Sequence, residues 1–184
     1  MTARQVMATL CRLMSPDLPL TIEPKRLAKQ GETLAGQYAL HEMHRLCELL
    51  HDKSGKISFL LKFTHDNNSG KSFIMGDIQA NINIICQRCL GCMTLKIERT
   101  VYLGILDRQD ESLQLPDNCE PLILDEPSVS LDNLIEDEVL LAIPIAPMHE
   151  ADKCSATELL DRINNQNRNN PFSILKTLVG KPGN

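Results

Sequence analysis

The chain has no tryptophan and only 3% aromatic residues, so large rings cannot fill its interior. Its core must be aliphatic, because hydrophobic residues still make up 42%, too many for a chain disordered by composition. Long apolar runs are also missing. The opening MTARQVMATLCRLM (1–14) holds no stretch long enough for a signal peptide or a membrane span. It carries two Arg and no acid, a faint likeness to a mitochondrial presequence, and is read as part of a disordered N-terminal extension, 1–16. Positive charge is not in excess: 19 Lys and Arg face 24 Asp and Glu, a net −5. That balance argues against a broad basic groove for nucleic acid and leaves room only for local contacts. There is no internal repeat, glycine-rich phosphate loop or nucleophile elbow. Cysteine, by contrast, is plentiful. Seven cysteines, an odd number, without a secretory signal predict a reducing, cytoplasmic location and no disulfides.

The rest of the pattern predicts an α+β domain over 17–160, followed by a polar linker and a short C-terminal helix over 161–184. DLPLTIEP (17–24) reads as extended, with Pro24 placed for a first helical turn. LAGQYALHEMHRLCELLH (34–51) spaces Leu40, Met43, Leu46 and Leu50 at helical intervals, which predicts an amphipathic helix. From Lys56 the period changes to two. Ile74, Ile78, Ala80, Ile82 and Ile84 share one parity; Asp77, Gln79, Asn81 and Asn83 take the other. MTLKIERTVYLGIL (93–106) alternates again, and PLIL (121–124) is a short strand candidate. The expected architecture is an antiparallel, twisted β-meander from about 55 to 106, curled toward a barrel and flanked by helices near 34–51 and 131–142. Residues 161–170, DRINNQNRNN, read as a flexible polar stretch, and Pro171 to Val179 as the C-terminal helix.

ICQRCLGC (85–92) sets Cys86, Cys89 and Cys92 at equal spacing on the tip between two long strands. A Cys-x2-Cys turn points two sulfurs inward and offers two ligands; structural zinc takes four. IPIAPMHEADKC supplies a second pair, His149 and Cys154. Cys86, Cys89, His149 and Cys154 thus form a candidate three-cysteine, one-histidine site for one structural Zn2+, with Cys92 as an alternative ligand. Two other readings stay open. A redox pair would open a helix after a strand, where the helix terminus activates a thiol; reduced cysteines simply packed in place are the other. Arg88, between two of the cysteines, is the candidate contact for RNA phosphate. Glu136, Asp137 and Glu138, on the acidic helix 131–141, are candidate contacts for a basic protein.

Three stretches in order carry a family resemblance: GDIQANINIICQRCLGCMTLKI (76–97), IEDEVLLAIPIAPMHEADKC (135–154) and NPFSILKTL (170–178), with weaker support from LPLTIEP (18–24). Together they resemble the bacterial large ribosomal RNA subunit accumulation proteins, the YceD family. The resemblance implies a non-enzymatic ribosome-biogenesis factor supporting synthesis, processing or accumulation of 23S rRNA. Its implied partners are a large-subunit precursor, 23S rRNA or a basic ribosomal protein, with neither a membrane nor a small-molecule substrate. No catalytic residue carries over, and the resemblance does not supply the zinc; Cys92 lies outside the family pattern. Two alternatives differ in class. A metal-dependent hydrolase or nuclease needs converging carboxylates, but consecutive Glu136, Asp137 and Glu138 diverge by about 100° each on a helix. A zinc-knuckle regulatory module needs a basic recognition helix, and 34–51 offers only Arg45 as a fixed cation.

Overall fold

The computed structural model describes residues 18–107 and 115–166. The expectations for the N-terminal extension and for a helix at 171–179 lie outside the described residues.

Thr21–Ile22 (β1) leads into a helix at Pro24–Gln30 (α1). Proline sits in the first turn, where its missing N–H costs nothing, and Gly31 ends the helix at a left-handed φ of 69°. The five-stranded sheet follows: Thr33–Ala39 (β2), Lys56–Asp66 (β3), Lys71–Ile85 (β4), Cys92–Asp107 (β5) and Glu120–Leu124 (β6), in the spatial order β2-β3-β4-β5-β6. The first four pair antiparallel, as the meander requires, but β6 lies parallel to β5. The two edge strands, β2 and β6, do not pair with each other, so the sheet is open rather than closed into a barrel. Val129–Ser130 (β7) pairs with β1 and leads into Leu131–Ala142 (α2); Thr157–Gln166 (α3) ends the described chain.

The alternation in β4 works as the sequence predicts. Ile74, Ile78, Ala80, Ile82 and Ile84 are buried, while Asp77, Gln79 and Asn81 face solvent. Register carries the same face across the sheet: Ile78 lies opposite Phe59, Ile74 opposite Phe63, and Ala80 opposite both Ile57 and Ile97. Leu131, Ile135 and Val139 of α2 join that core. Each fully buried Ile or Leu contributes about 1.5–3 kcal/mol, which is how a core with few aromatics holds.

The helix expected over 34–51 does not form. Residues 33–39 are strand β2, paired along their whole length with β3, and two short 3-10 turns follow at Leu40–Glu42 and Leu46–Glu48. The spaced residues Leu40, Met43 and Leu46 are buried as the period required, but on turns. Edge pairing to β3 satisfies seven residues at once, and this tertiary gain overrides a weak helical preference. The polar stretch expected to be flexible is helical in part: residues 161–166 belong to α3.

Candidate metal centre

The tip between β4 and β5 is a tight loop closed by its own backbone. Cys86 N–H donates to the Gly91 carbonyl at 2.9 Å, and Leu90 N–H donates to the Cys86 carbonyl at 2.9 Å. The turn needs a left-handed residue and uses Leu90, at φ 59°, which is uncommon for a side chain of that size. Gly91 adjoins the thiol: a Cβ there would stand in ordinary contact with Cys89 Sγ, at 3.5 Å.

A second segment docks onto this loop. After α2, the prolines of IPIAPM keep residues 143–150 out of a helix. Gln87 N–H donates to the Pro147 carbonyl at 2.8 Å, and His149 N–H donates to Cys86 Sγ at 3.4 Å. A 3-10 turn at Ala151–Lys153 then brings Cys154 inward, directly before α3. One ligand atom from each of Cys86, Cys89, His149 and Cys154 lies within 4.8 Å of all the others. His149 Nδ1 is 3.3 Å from Cys89 Sγ. Tetrahedral zinc, with Zn–S of about 2.3 Å and Zn–N of about 2.0–2.1 Å, needs its donors roughly 3.5–3.8 Å apart, so these four fit after small side-chain shifts. The other imidazole nitrogen, Nε2, is 3.2 Å from the Cys92 carbonyl. A bond there orients the ring and leaves Nδ1 free as a ligand, the usual arrangement behind a metal-binding histidine.

The electrostatics point the same way. Burial raises the Cys86 thiol, but the backbone amides of Cys89, His149 and Arg88 and the Cys89 thiol outweigh it and bring the pKa down to about 5. Contact with the Cys86 sulfur raises the His149 pKa against the effect of burial, and Cys89 adds to it. With Cys86 held toward its thiolate, three sulfurs and a ring nitrogen form a donor set for a soft to borderline divalent cation. The setting differs from that of a redox Cys-x2-Cys. Cys89 is followed by strand β5 rather than by a helix, so no helix terminus lowers a thiol there.

The other sequence candidates fall differently. Cys92 is exposed at the start of β5 and outside the four-ligand group; its carbonyl, not its sulfur, meets His149. Arg88 is not a free tip residue. Its Nη2 donates to the His149 carbonyl at 2.5 Å and its Nε is buried without a partner, so it braces the histidine. Glu136 and Glu138 are not surface contacts either: they are 3% and 4% exposed. Glu136 accepts from Arg45 Nε at 2.8 Å and from Leu46 N–H at 3.0 Å, while Asp137 accepts from Arg45 Nη1 at 2.6 Å. Alternate carboxylates of a helix whose apolar face packs on the sheet come to its margin, where Arg45 and Arg99 reach them. The sequence did not reveal the roles of Pro147, Leu90 and Gly91. Each acts through a backbone carbonyl or a backbone angle, neither of which leaves a spacing signal.

The family model of the large ribosomal RNA subunit accumulation protein YceD matches residues 74–179. That is more than half of the chain, and it covers most of β4, the cysteine loop, β5, α2 and the His149–Cys154 segment. The chain belongs to this YceD family. A curated YceD relative, the large ribosomal RNA subunit accumulation protein of Haemophilus influenzae, is 29% identical over 171 residues, covering 89% of this chain and 97% of its own length. No solved structure matches. Among the described residues, no helix is long and apolar enough to cross a membrane.

Proposed function

We propose that this YceD-family protein is a non-enzymatic ribosome-biogenesis factor, acting in the cytoplasm to support the accumulation of 23S rRNA. Family membership carries the reading, because the family is named for accumulation of the large ribosomal RNA subunit and the match covers most of β4, the loop, β5, β6 and α2. A net charge of −5 favours a basic ribosomal protein or a protein-bearing large-subunit precursor over naked 23S rRNA, whose phosphates call for Lys and Arg. The carboxylates Glu136, Asp137 and Glu138 support a non-enzymatic role, since their oxygens are engaged by Arg45 and Arg99 rather than turned toward a common ion.

One structural Zn2+ belongs to this reading, with Cys86, Cys89, His149 and Cys154 as ligands. The ion would supply the link between the β4–β5 loop and the segment after Pro147, about 60 residues apart in sequence. Arg88 holds the His149 backbone, the Cys92 carbonyl orients its ring, and Cys86 receives amide hydrogen bonds from both segments.

The test of function is the ratio of 23S to 16S RNA, with 23S precursors resolved, after depleting the protein in its host. A fall in 23S at constant 16S is expected. A normal ratio with normal precursors under thorough depletion would overturn the reading.

A further inference from the structure

The four ligands are not equally sheltered. Cys86 and Cys154 are buried, whereas Cys89 is partly open to solvent. Gly91 adjoins the Cys89 sulfur and carries no side chain; a Cβ there would come to 3.5 Å of Sγ. The sulfurs of Cys86 and Cys89 lie within 4.8 Å of each other, on residues three apart in one tight turn. A disulfide needs its sulfurs about 2.05 Å apart and its Cβ atoms about 3.5–4.5 Å apart, a closure that side-chain rotation within such a turn can make.

We propose that the metal centre is a peroxide-responsive switch, in which a hydroperoxide converts Cys86 and Cys89 to a disulfide and releases the metal. The proposal rests on the zinc reading above. The Cys89 thiolate attacks the hydroperoxide, takes up one oxygen as a sulfenic acid and expels hydroxide or alkoxide. The Cys86 thiolate then attacks the Cys89 sulfur, forming the S–S bond and expelling hydroxide, and solvent protonates both leaving groups. The two sulfurs lose two electrons and the peroxide gains two. Only His149 and Cys154 then remain as ligands, too few for tetrahedral zinc, and the ion leaves as Zn2+. The segment from Pro147 to Cys154 loses its metal anchor and keeps hydrogen bonds such as Gln87–Pro147, Arg88–His149 and His149–Cys92.

The full chain, loaded with zinc under reducing conditions and freed of excess metal, is treated with hydrogen peroxide while a chromogenic chelator follows released zinc. The sample is then alkylated, digested with trypsin and mapped by mass spectrometry. Trypsin cleaves after Arg88, so a Cys86–Cys89 disulfide appears as two peptides held together. The expected result is release of most of the bound zinc with that linked pair, reversed by dithiothreitol and fresh zinc, and unchanged in Cys92→Ser. Zinc that stays bound while exposed Cys92 is oxidised overturns the switch and leaves the metal reading standing. So does release accompanied by sulfonic acids or by a Cys89–Cys92 link, or a response lost in Cys92→Ser. A reduced chain that takes up no zinc at all overturns both.

Discussion

Arg99 on β5 donates from Nε to the buried carboxylate of Glu138 on α2 at 3.0 Å, while its Nη2 spans both oxygens of Glu120 on β6 at 2.6 and 2.8 Å. One guanidinium therefore ties the sheet, its parallel edge strand and the helix. Removing it strands Glu138 in a position only 4% exposed. Arg99→Met is expected to cost about 2–3 kcal/mol in urea unfolding, below the full cost of breaking a buried pair because the arginine is partly solvated. Adding Glu138→Gln to that variant should recover part of the loss, since the unpaired charge is the main penalty. Strictly additive losses in the double variant would contradict this account.

Gly76 on β4 lies opposite Leu61, and a Cβ there would fall on the Leu60 carbonyl and stand 2.9 Å from Leu61 Cα. Backbone cannot yield as a flexible side chain can. Gly76→Ala should lower stability by at least about 2 kcal/mol. Gly91→Ala should fold normally, because its nearest contacts, at 3.5 and 4.0 Å, are ordinary van der Waals distances. Thermal melts of the two variants side by side check the contrast.

Tyr38 has a buried hydroxyl without a hydrogen-bond partner, on a ring stacked against Phe59. Burial, then the charges of Asp132 and Glu42, push its pKa up to about 12 from 10.0. The neutral phenol is thus favoured by folding. Its contribution is full below pH 10 and is lost as pH rises through 12. Tyr38→Phe should keep the stacking, match or exceed wild-type stability near pH 7 by up to about 1 kcal/mol, and flatten the alkaline decline between pH 10 and 12. Unfolding midpoints measured across that range decide the matter; parallel curves for both proteins would count against it.

Metal analysis of protein purified under reducing conditions should find one zinc per chain. Cys86→Ser and His149→Ala should lose it, and Cys92→Ser should keep it. Removal of the metal by a chelator should lower the melting temperature and increase tryptic cleavage after Lys153, because a bound ion would contribute to docking of that segment. Equal zinc content in all three variants would reject the ligand set.

Legibility tracked how locally each feature is determined. The strands β3, β4 and β5 could be read because side chains alternate across any pleated strand, so burial writes itself into parity, as at Ile78, Ala80 and Ile82. The first turn at Pro24 follows from proline's fixed φ, and helix α2 from the helical spacing of its buried Leu131, Leu134, Ile135 and Val139. The four residues gathered at the tip were also legible, since Cys-x2-Cys and His-x4-Cys are local patterns that imply convergence.

What only the tertiary structure decided depends on contacts distant in sequence. Residues 33–39 became strand because β3 offered seven partners, whereas the helical spacing that drew them into a helix lay in the residues after them, Leu40 to Leu50. Cys92 was left outside the ligand group because β5 begins there and turns its sulfur to solvent. Arg88 and Glu136 read as surface charges until the chain folded and brought the His149 carbonyl, Leu46 N–H and Arg45 to them. A charge declares its sign in the sequence, but its partner is supplied by segments 61 to 91 residues away, and only the folded chain fixes that distance.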